Sequence, residues 1–153
     1  DKGFKNFLRT LTGGRITISA LALGISQAAY KIALNYSHER QAFGKKINKF
    51  QSISFKLADM ATQIEATKHL VYHAAWLKDN NHSIIKEAAI AKLFSSENAM
   101  KITTDAIQIL GGYGYIREYN IERFFRDAKI LEIGEGTSEI QRIIIAREIL
   151  KSI

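Results

Sequence analysis

A lone carboxylate, Glu135, lies between Gly134 and Gly136 near the end of the chain. Because glycines leave the backbone without side-chain cover, a substrate could approach this carboxylate closely. Ser138 and Gln141 have the spacing of a capping box, so we expect a helix to begin directly after the acid. This arrangement would present a general base on a rigid edge. Taken alone, an acidic residue stabilised by the helix dipole is the simpler interpretation.

Two other segments could bind a phosphorylated ligand. Arg40-Gln41-Ala42-Phe43-Gly44 places a guanidinium and an aromatic ring on one turn, which could bind a pyrophosphate and pack against a flat heterocycle. Gly111-Gly112-Tyr113-Gly114 could form a phosphate cradle. It follows a predicted helix rather than a strand and lacks the full dinucleotide spacing, so by itself it favours a helix C-cap.

Glu65, His69 and His73 recur at intervals of one helical turn. That spacing could bind a metal, but zinc requires a further protein ligand and a second shell of supporting groups. No glutamate follows His69 directly, so the segment lacks the zinc-protease signature. We interpret the histidines as ordinary surface or partly buried residues and predict no metal site.

The formal net charge is +7, and three lysines lie between predicted helices: Lys45, Lys46 and Lys49. Such an excess of positive charge can indicate an anionic partner. Nucleic-acid binding would require interleaved exposed aromatics or a recognition motif, and neither is found. We interpret the lysines as a solvated turn and predict no nucleic-acid partner.

The composition indicates one helical domain. The chain has 153 residues, no proline and no cysteine. Absent proline suits long uninterrupted helices. Absent cysteine excludes disulfides, a thiolate metal site and a cysteine nucleophile, and it agrees with a reducing compartment. Because the chain begins at Asp1 rather than at methionine, we expect a fragment, a processed product or an excised domain.

Apolar periodicity predicts four helices, at about Thr12–Arg40, Gln51–Lys78, Ser83 to a stop at Gly111-Gly112, and Thr137–Lys151. A linker from Tyr113 to Ile133 would contain a short helix near Arg123. The first three helices are each about 40 Å long at 1.5 Å per residue. Short connections make them antiparallel neighbours, so the sequence predicts an all-α, up-down four-helix bundle.

The periodic apolar positions give the expected buried faces. For the first helix they are Ile16, Ala20, Leu23, Ile25, Ala28 and Ile32. The fourth helix has a similar series of positions, namely Ile140, Ile143, Ile144, Arg147 and Leu150.

Four positive side chains, Lys2, Lys5, Arg9 and Arg15, precede the apolar stretch Ile16–Ala29 and superficially resemble a secretory signal. Ser19, Ser26 and Gln27 interrupt that stretch, and its apolar positions follow helical spacing. We therefore predict no signal. The stretch is also too short and too polar for a membrane span.

Five segments carry recognisable motifs: Gly13-Gly14-Arg15, Glu39-Arg40-x-x-Phe43-Gly44, Gln51 with Phe55-Lys56-Leu57-Ala58-Asp59-Met60, Asp105-Ala106-x-Gln108-Ile109-Leu110-Gly111-Gly112-x-Gly114 and Ile133-x-Glu135-Gly136-Thr137-Ser138-Glu139-Ile140-Gln141-Arg142. Together they resemble the C-terminal domain of the acyl-CoA dehydrogenases, closest to the short-chain, butyryl-type members. The resemblance covers nearly the whole chain in order. Its Gln-x-x-Gly-Gly and Glu-Gly-Thr motifs are specific.

The resemblance implies a flavoenzyme that oxidises an acyl-CoA thioester to the trans-2-enoyl-CoA, with Glu135 as the catalytic base. The physical role is reasonable, because a carboxylate in a dry pocket is more basic than one in water. Hydrogen bonds to the thioester carbonyl would stabilise the developing enolate while hydride passes to the flavin.

The resemblance also implies binding residues. The FAD contacts would be Arg40, Ala42, Phe43 and Gln51. The FAD of a neighbouring subunit would be touched by Gln108, Gly111 and Gly112, and its ADP part by Thr137 and Glu139. Arg15 would meet the CoA portion of the substrate, and Gly136 would lie near the thioester.

The implied partners are acyl-CoA, electron-transferring flavoprotein and further copies of the chain in a dimer or tetramer. The implied location is the bacterial cytoplasm, or the mitochondrial matrix in a eukaryote. The N-terminal helical and middle β domains of the family are missing from residues 1–153. We therefore expect this single C-terminal domain to fold as a bundle, bind FAD poorly and show no turnover alone.

Two positions depart from the family pattern. Thr12 stands where relatives often have Asp, and Gly134 replaces a Tyr often found before the base. Isovaleryl-type relatives carry the base on the first helix, about where Gly14 lies, so Glu135 is the only candidate here. Two alternatives stay open, a non-enzymatic helical interaction module and a flavin-dependent acyl-CoA oxidase on the same fold.

Overall fold

The computed structural model describes residues 2–151, without the side chains of residues 2, 4, 5, 8 and 9. The described residues do not include Asp1, on which the expectation of a fragment was based. The charged groups of Lys2, Lys5 and Arg9 are also outside the described part. Within the described residues six α-helices form: α1 Lys2–Glu39, α2 Gln51–Asp79, α3 Ile85–Leu110, α4 Gly112–Tyr115, α5 Ile121–Leu131 and α6 Ser138–Leu150. Two short antiparallel strands, β1 Gln41–Ala42 and β2 Lys45–Lys46, form a hairpin between α1 and α2.

The helix α3 is the centre of the bundle. It packs against α1, α2, α5 and α6, and α1 also packs against α2. The main core contains residues from α1, α2, α3 and α5, among them Leu23, Ala33, Met60, Ile64, Ile102, Ala106 and Ile121. The prediction of an all-α, up-down helical bundle is confirmed.

Small side chains allow α1 and its neighbours to approach closely, because interaxial distance depends on the side chains at the contact. Ala22, Ala29 and Ala33 on α1 are fully buried. Ser19 and Ser26 are also buried, and their hydroxyls donate to the carbonyls of Arg15 and Ala22, one turn earlier. These bonds satisfy the buried polar groups inside the helix.

Several predicted boundaries were wrong. The first helix begins at Lys2 rather than near Thr12, because the glycines at 13 and 14 remain helical instead of ending the helix. The third helix begins at Ile85, two residues later than predicted. The predicted linker 113–133 is mostly structured and contains α5, which confirms the short helix near Arg123.

Two predicted buried faces also need correction. Ala20 is exposed on α1. On α6 three predicted apolar positions, Ile140, Ile143 and Leu150, are exposed by 44%, 62% and 67%, and Ile144 is only partly buried. The residues that α6 buries are Ser138 and Gln141. Periodicity identifies an apolar face but does not say whether another element covers it.

Within residues 2–151, one stretch is long and apolar enough to cross a membrane, Thr10–Glu39, with a mean hydropathy of 1.3. The expectation for Ile16–Ala29 considered only part of this helix. The buried alanines of α1 show the pattern of a core helix, which passes the same test, so this single helix is weak grounds for a membrane span.

Candidate active site

Glu135 lies in the tight turn between α5 and α6. The N–H groups of Ile133 and Gly134 both donate to the carbonyl of Ile130, and the N–H of Ser138 donates to the carbonyl of Glu132. Glu135 itself has a φ of 55°, in the left-handed region. This conformation costs roughly 1–2 kcal/mol in a residue with a side chain, so the surrounding contacts must hold it.

Gln141 supplies those contacts from the first turn of α6. Its Nε2 donates to the carbonyls of Glu135 and Gly136, at 3.2 and 2.8 Å, and the residue is fully buried. A Cβ at position 136 would lie 2.7 Å from this nitrogen, and Gly136 has a φ of 96°. The glutamine therefore fixes the backbone on which Glu135 is presented.

The predicted capping box of Ser138 and Gln141 was wrong. Thr137 is the N-cap, with extended backbone and an Oγ1 that accepts a hydrogen bond from the N–H of Ile140 at 3.4 Å. Ser138 is already helical, and the side chain of Gln141 is committed to the turn. A threonine one residue earlier competes for the same role because its hydroxyl can cap equally well.

The Glu135 carboxylate lies against α1 at Gly14. A Cβ built at position 14 would be only 2.6 Å from Oε2 of Glu135. Oε2 is buried and has no hydrogen-bond partner within the described part of the chain. Gly14 also lines an open groove of about 570 Å³ with Asn6, Thr10, Gly13, Thr17 and Lys78. The carboxylate thus packs against a position of α1 that lines this groove.

Arg15 is close to this carboxylate and almost completely buried, with 6% exposure. Burial lowers the pKa of Arg15, and the negative charge of Glu135 partly offsets that effect. Arg147 on α6 lowers it further. The Nε atom of Arg15 has no hydrogen-bond partner among residues 2–151 whose side chains are described.

Two other sequence-predicted residues lie at the start of α6, next to Glu135. The pKa of Glu139 is below its usual value because its own backbone N–H and the Thr137 hydroxyl donate hydrogen bonds to its carboxylate. Thr137 and Gly136 are partly buried, and Glu139 is exposed. Glu135, Arg15, Gly136, Thr137 and Glu139 therefore form one group of candidate residues.

A second group forms at the opposite end of α3. Arg40, Gln108, Gly111 and Gly112 line a groove of about 560 Å³, together with Tyr36, Ile47, Ile109, Leu110, Tyr113 and Ile116. The guanidinium of Arg40 lies 5.8 Å from the ring centroid of Tyr113. Burial raises the pKa of Tyr36. This groove shares no lining residue with the groove at Gly14.

The hairpin presents the other predicted FAD residues. Phe43 and Gly44 occupy its turn with φ values of 50° and 79°, as a type I′ turn requires. Phe43 is 94% exposed, and its ring meets that of Phe50 edge-on, 6.2 Å apart. Ala42 is partly buried, and Gln51 is exposed at the first position of α2.

Sequence reasoning missed two residues. It treated Gln141 as a cap and gave no role to Lys92, which is fully buried on α3. Lys92 has Ala88 and Ala89 one turn before it and Ser95 and Ser96 one turn after it. A lysine within this small-residue face was a signal that could have found it.

The histidine series does not assemble a site. His69 pairs with Glu65 at 3.2 Å and is 77% exposed. Among the described residues no group of three histidine, cysteine or acidic side chains is placed to hold a metal ion.

The helical fold and the group of candidate residues around Glu135 define a class of protein. The family model for the acyl-CoA dehydrogenase C-terminal domain matches residues 1–150, and the chain belongs to that family. The resemblance seen in the sequence is confirmed. Members of the family are oxidoreductases of fatty acid metabolism.

Particular relatives are similar over almost the whole chain. A probable acyl-CoA dehydrogenase, YngJ of Bacillus subtilis, is 60% identical over 98% of this chain and 40% of its own length. CarC of the Acetobacterium woodii caffeyl-CoA reductase–Etf complex is 47% identical over 99% of this chain and 40% of its own. The butyryl-CoA dehydrogenase structure from Megasphaera elsdenii matches with a TM-score of 0.96 and 53% identity. The match covers 97% of this chain and 39% of that one. The chain thus spans about two fifths of the length of these relatives.

Proposed function

We propose that residues 1–153 form the C-terminal domain of an FAD-dependent acyl-CoA dehydrogenase in which Glu135 removes the α-proton of the thioester substrate. The observation that carries this proposal is the contact of Glu135 with Gly14. The contact directs a buried carboxylate oxygen of Glu135 at Gly14, which lines a groove. Among the described residues no donor forms a hydrogen bond to this oxygen. A lone pair of that oxygen is available to accept a proton.

The reaction requires one base and one hydride acceptor. Glu135 takes the proton from the carbon next to the thioester carbonyl, and the hydride leaves the neighbouring carbon, so that a carbon–carbon double bond forms. When bound, FAD supplies the hydride acceptor. The chain's own contribution is to hold the base rigidly, through Gln141 and the turn before α6.

The groove near Arg40 fits part of a dinucleotide. Arg40 offers a guanidinium for phosphate, and a Cβ at Gly111 or Gly112 would meet nothing within 4 Å, so the backbone there is accessible. We assign FAD contacts to Arg40, Ala42, Phe43 and Gln51, and contacts with a neighbouring subunit's FAD to Gln108, Gly111 and Gly112. The ADP contacts are assigned to Thr137 and Glu139. The separation of the two grooves supports a site completed by a dimer or tetramer.

The substrate contacts are assigned to Arg15, toward the CoA portion, and to Gly136, beside the thioester. The butyryl-CoA activity named for the Megasphaera elsdenii enzyme supports a short acyl chain. The Etf complex named for CarC supports electron-transferring flavoprotein as the electron acceptor. The expected location is the cytoplasm of a bacterium or the mitochondrial matrix of a eukaryote.

The isolated domain is expected to fold but to bind FAD poorly and to show no turnover, because the walls that other domains supply in the longer relatives are missing. Purification of residues 1–153 followed by a flavin absorbance spectrum checks this expectation. Stoichiometric yellow flavin together with reduction by butyryl-CoA would contradict it.

The proposed base is tested by Glu135→Gln in a complete enzyme that carries this domain. We expect thioester oxidation to fall by about 10²- to 10⁴-fold while flavin content and folding are retained. Glu118→Gln, an exposed acidic residue outside both groups, is the matched control and should be as active as the parent. Substantial activity in Glu135→Gln would refute the assignment. Flavin reoxidation by oxygen in the same preparation separates a dehydrogenase from an oxidase.

A further inference from the structure

Lys92 is the largest fully buried side chain in the part of the chain that the structure describes. Its Nζ has no hydrogen-bond partner among those residues. Removing an ammonium group from water costs several kcal/mol unless acceptors replace the lost hydration. The site therefore requires an acceptor for this proton donor.

The charged groups around Lys92 belong to α1 and to the α5–α6 turn that carries Glu135. Lys92 is fully buried on α3, which packs against both α1 and α6. Burial lowers its pKa, and the carboxylates of Glu132 and Glu139 oppose that effect from the two ends of the α5–α6 turn. Arg15, the neighbour of Glu135 on α1, lowers the pKa of Lys92 further.

Gln141 offers the acceptor that matches this donor. It is fully buried on α6, which packs on α3, and its Oε1 has no partner within the described residues. Its Nε2 already donates to the carbonyls of Glu135 and Gly136. Because the two amide atoms turn together, a donor at Oε1 keeps Nε2 directed at those carbonyls. A flipped amide would place an oxygen against two carbonyl oxygens.

We propose that the ammonium of Lys92 donates to a bridging water, which donates to Oε1 of Gln141 and thereby fixes the amide that holds the Glu135 turn. Lys92 is then a positioning residue that acts on the base through Gln141. This inference rests on the proposed function, since it assigns Lys92 a part in placing the base.

The test is Lys92→Met in the complete enzyme, because methionine has a similar length and no charge. We expect kcat to fall on the order of 10²-fold if the base moves by about 1 Å, with little change in KM. The kinetic isotope effect for an α-deuterated acyl-CoA should rise, because proton removal becomes slower. The unfolding temperature should change little, because the lost hydrogen bond is offset by the removal of a buried ammonium group.

Lys101→Met, on the exposed surface of the same helix, is the control and should match the parent enzyme. Unchanged kcat in Lys92→Met would overturn the inference. So would a loss of activity in proportion to losses of stability and flavin content, because a purely structural role predicts that result.

A double-mutant cycle tests whether the effect of Lys92 on the base passes through Gln141. If Lys92 acts through Gln141, Lys92→Met should cause no further loss in a Gln141→Met background. Additive losses of kcat in the double variant would overturn the assignment. A loss of kcat in Glu132→Gln equal to that in Lys92→Met would also overturn it, because Glu132→Gln leaves Gln141 intact. Failure of the proposed function looks different, because Glu135→Gln would then remain active. Failure of this inference alone leaves Glu135→Gln inactive and Lys92→Met fully active.

Discussion

The carboxylate of Glu135 occupies the space that a side chain at position 14 would need, since a Cβ built on Gly14 would lie 2.6 Å from Oε2. Real Cβ atoms essentially never come within 3.0 Å of another heavy atom in this way. The absence of a side chain at Gly14 is therefore a requirement of the position of the Glu135 carboxylate and not a weakness of α1.

We predict that Gly14→Ala displaces the Glu135 carboxylate and lowers kcat without unfolding the protein. Alanine is favoured over glycine in a helix by roughly 0.5–1 kcal/mol, which offsets part of the clash. The measurements are thioester oxidation by the complete enzyme and thermal unfolding. Gly24→Ala is the matched control, because a Cβ there meets nothing within 4 Å on the same helix. It should be slightly stabilised and fully active, and equal activity in both variants would disprove the steric argument.

The turn around Glu135 gives a second matched pair of glycines. Gly136→Ala should destabilise the protein by about 1–2 kcal/mol, because a φ of 96° is unfavourable for alanine and the Cβ would lie 2.7 Å from Nε2 of Gln141. Gly134→Ala places its Cβ 3.4 Å from the carbonyl oxygen of Ile130 and requires no positive φ. Its effect should be smaller. Urea unfolding of both variants measures the difference, and an equal loss would contradict the role of the Gln141 contact.

The burial of Lys92 predicts how stability depends on alkaline pH. Its pKa in the folded protein is lowered from about 10.5, so in this range the unfolded chain binds more protons than the folded one. Stability should therefore rise with pH from the lowered pKa up to about 10.5. Lys92→Met should remove this rise, as measured by urea unfolding across the range below pH 10. That limit avoids Tyr36, whose raised pKa makes stability fall at higher pH. A rise that persists in Lys92→Met would assign it to another group.

Phe43 is expected to act in binding rather than in folding. With 94% of its surface exposed, Phe43→Ala should change the free energy of unfolding by less than about 0.5 kcal/mol. In the complete enzyme the same change should reduce the amount of FAD retained after gel filtration. Tyr115→Ala is the control, since Tyr115 is 83% exposed and lines neither groove. Equal flavin retention in the two variants would remove Phe43 from the FAD site.

The helices were largely predictable from the sequence, because each long helix carries its own apolar period. The predicted bounds of α2 were within one residue, at Gln51 and Asp79. The start of α1 was not predictable in the same way. Gly13 and Gly14 resemble a helix break, and what makes them useful inside a helix is contact with Lys78 and Glu135 from distant segments.

The residue types of the candidate site could be predicted from the sequence, but the side chains around them that hold the turn could not. The resemblance singled out Glu135, and the glycines around it indicated a turn. The sequence did not indicate that Gln141 holds this turn or that Lys92 is buried on α3, because both facts depend on where these side chains lie in the folded bundle. Local capping rules assigned Gln141 to its own helix end, whereas its side chain reaches back to the carbonyls of Glu135 and Gly136.

The lack of a side chain at Gly14 makes positions 14 and 135 of the sequence mutually dependent. A side chain at 14 and a carboxylate reaching in from 135 cannot share that space, so the bundle accommodates an acid from α1 or from the turn before α6. Evolution can therefore relocate the acid only by paired substitutions. In an alignment of chains with this fold, we expect positions 14 and 135 to covary.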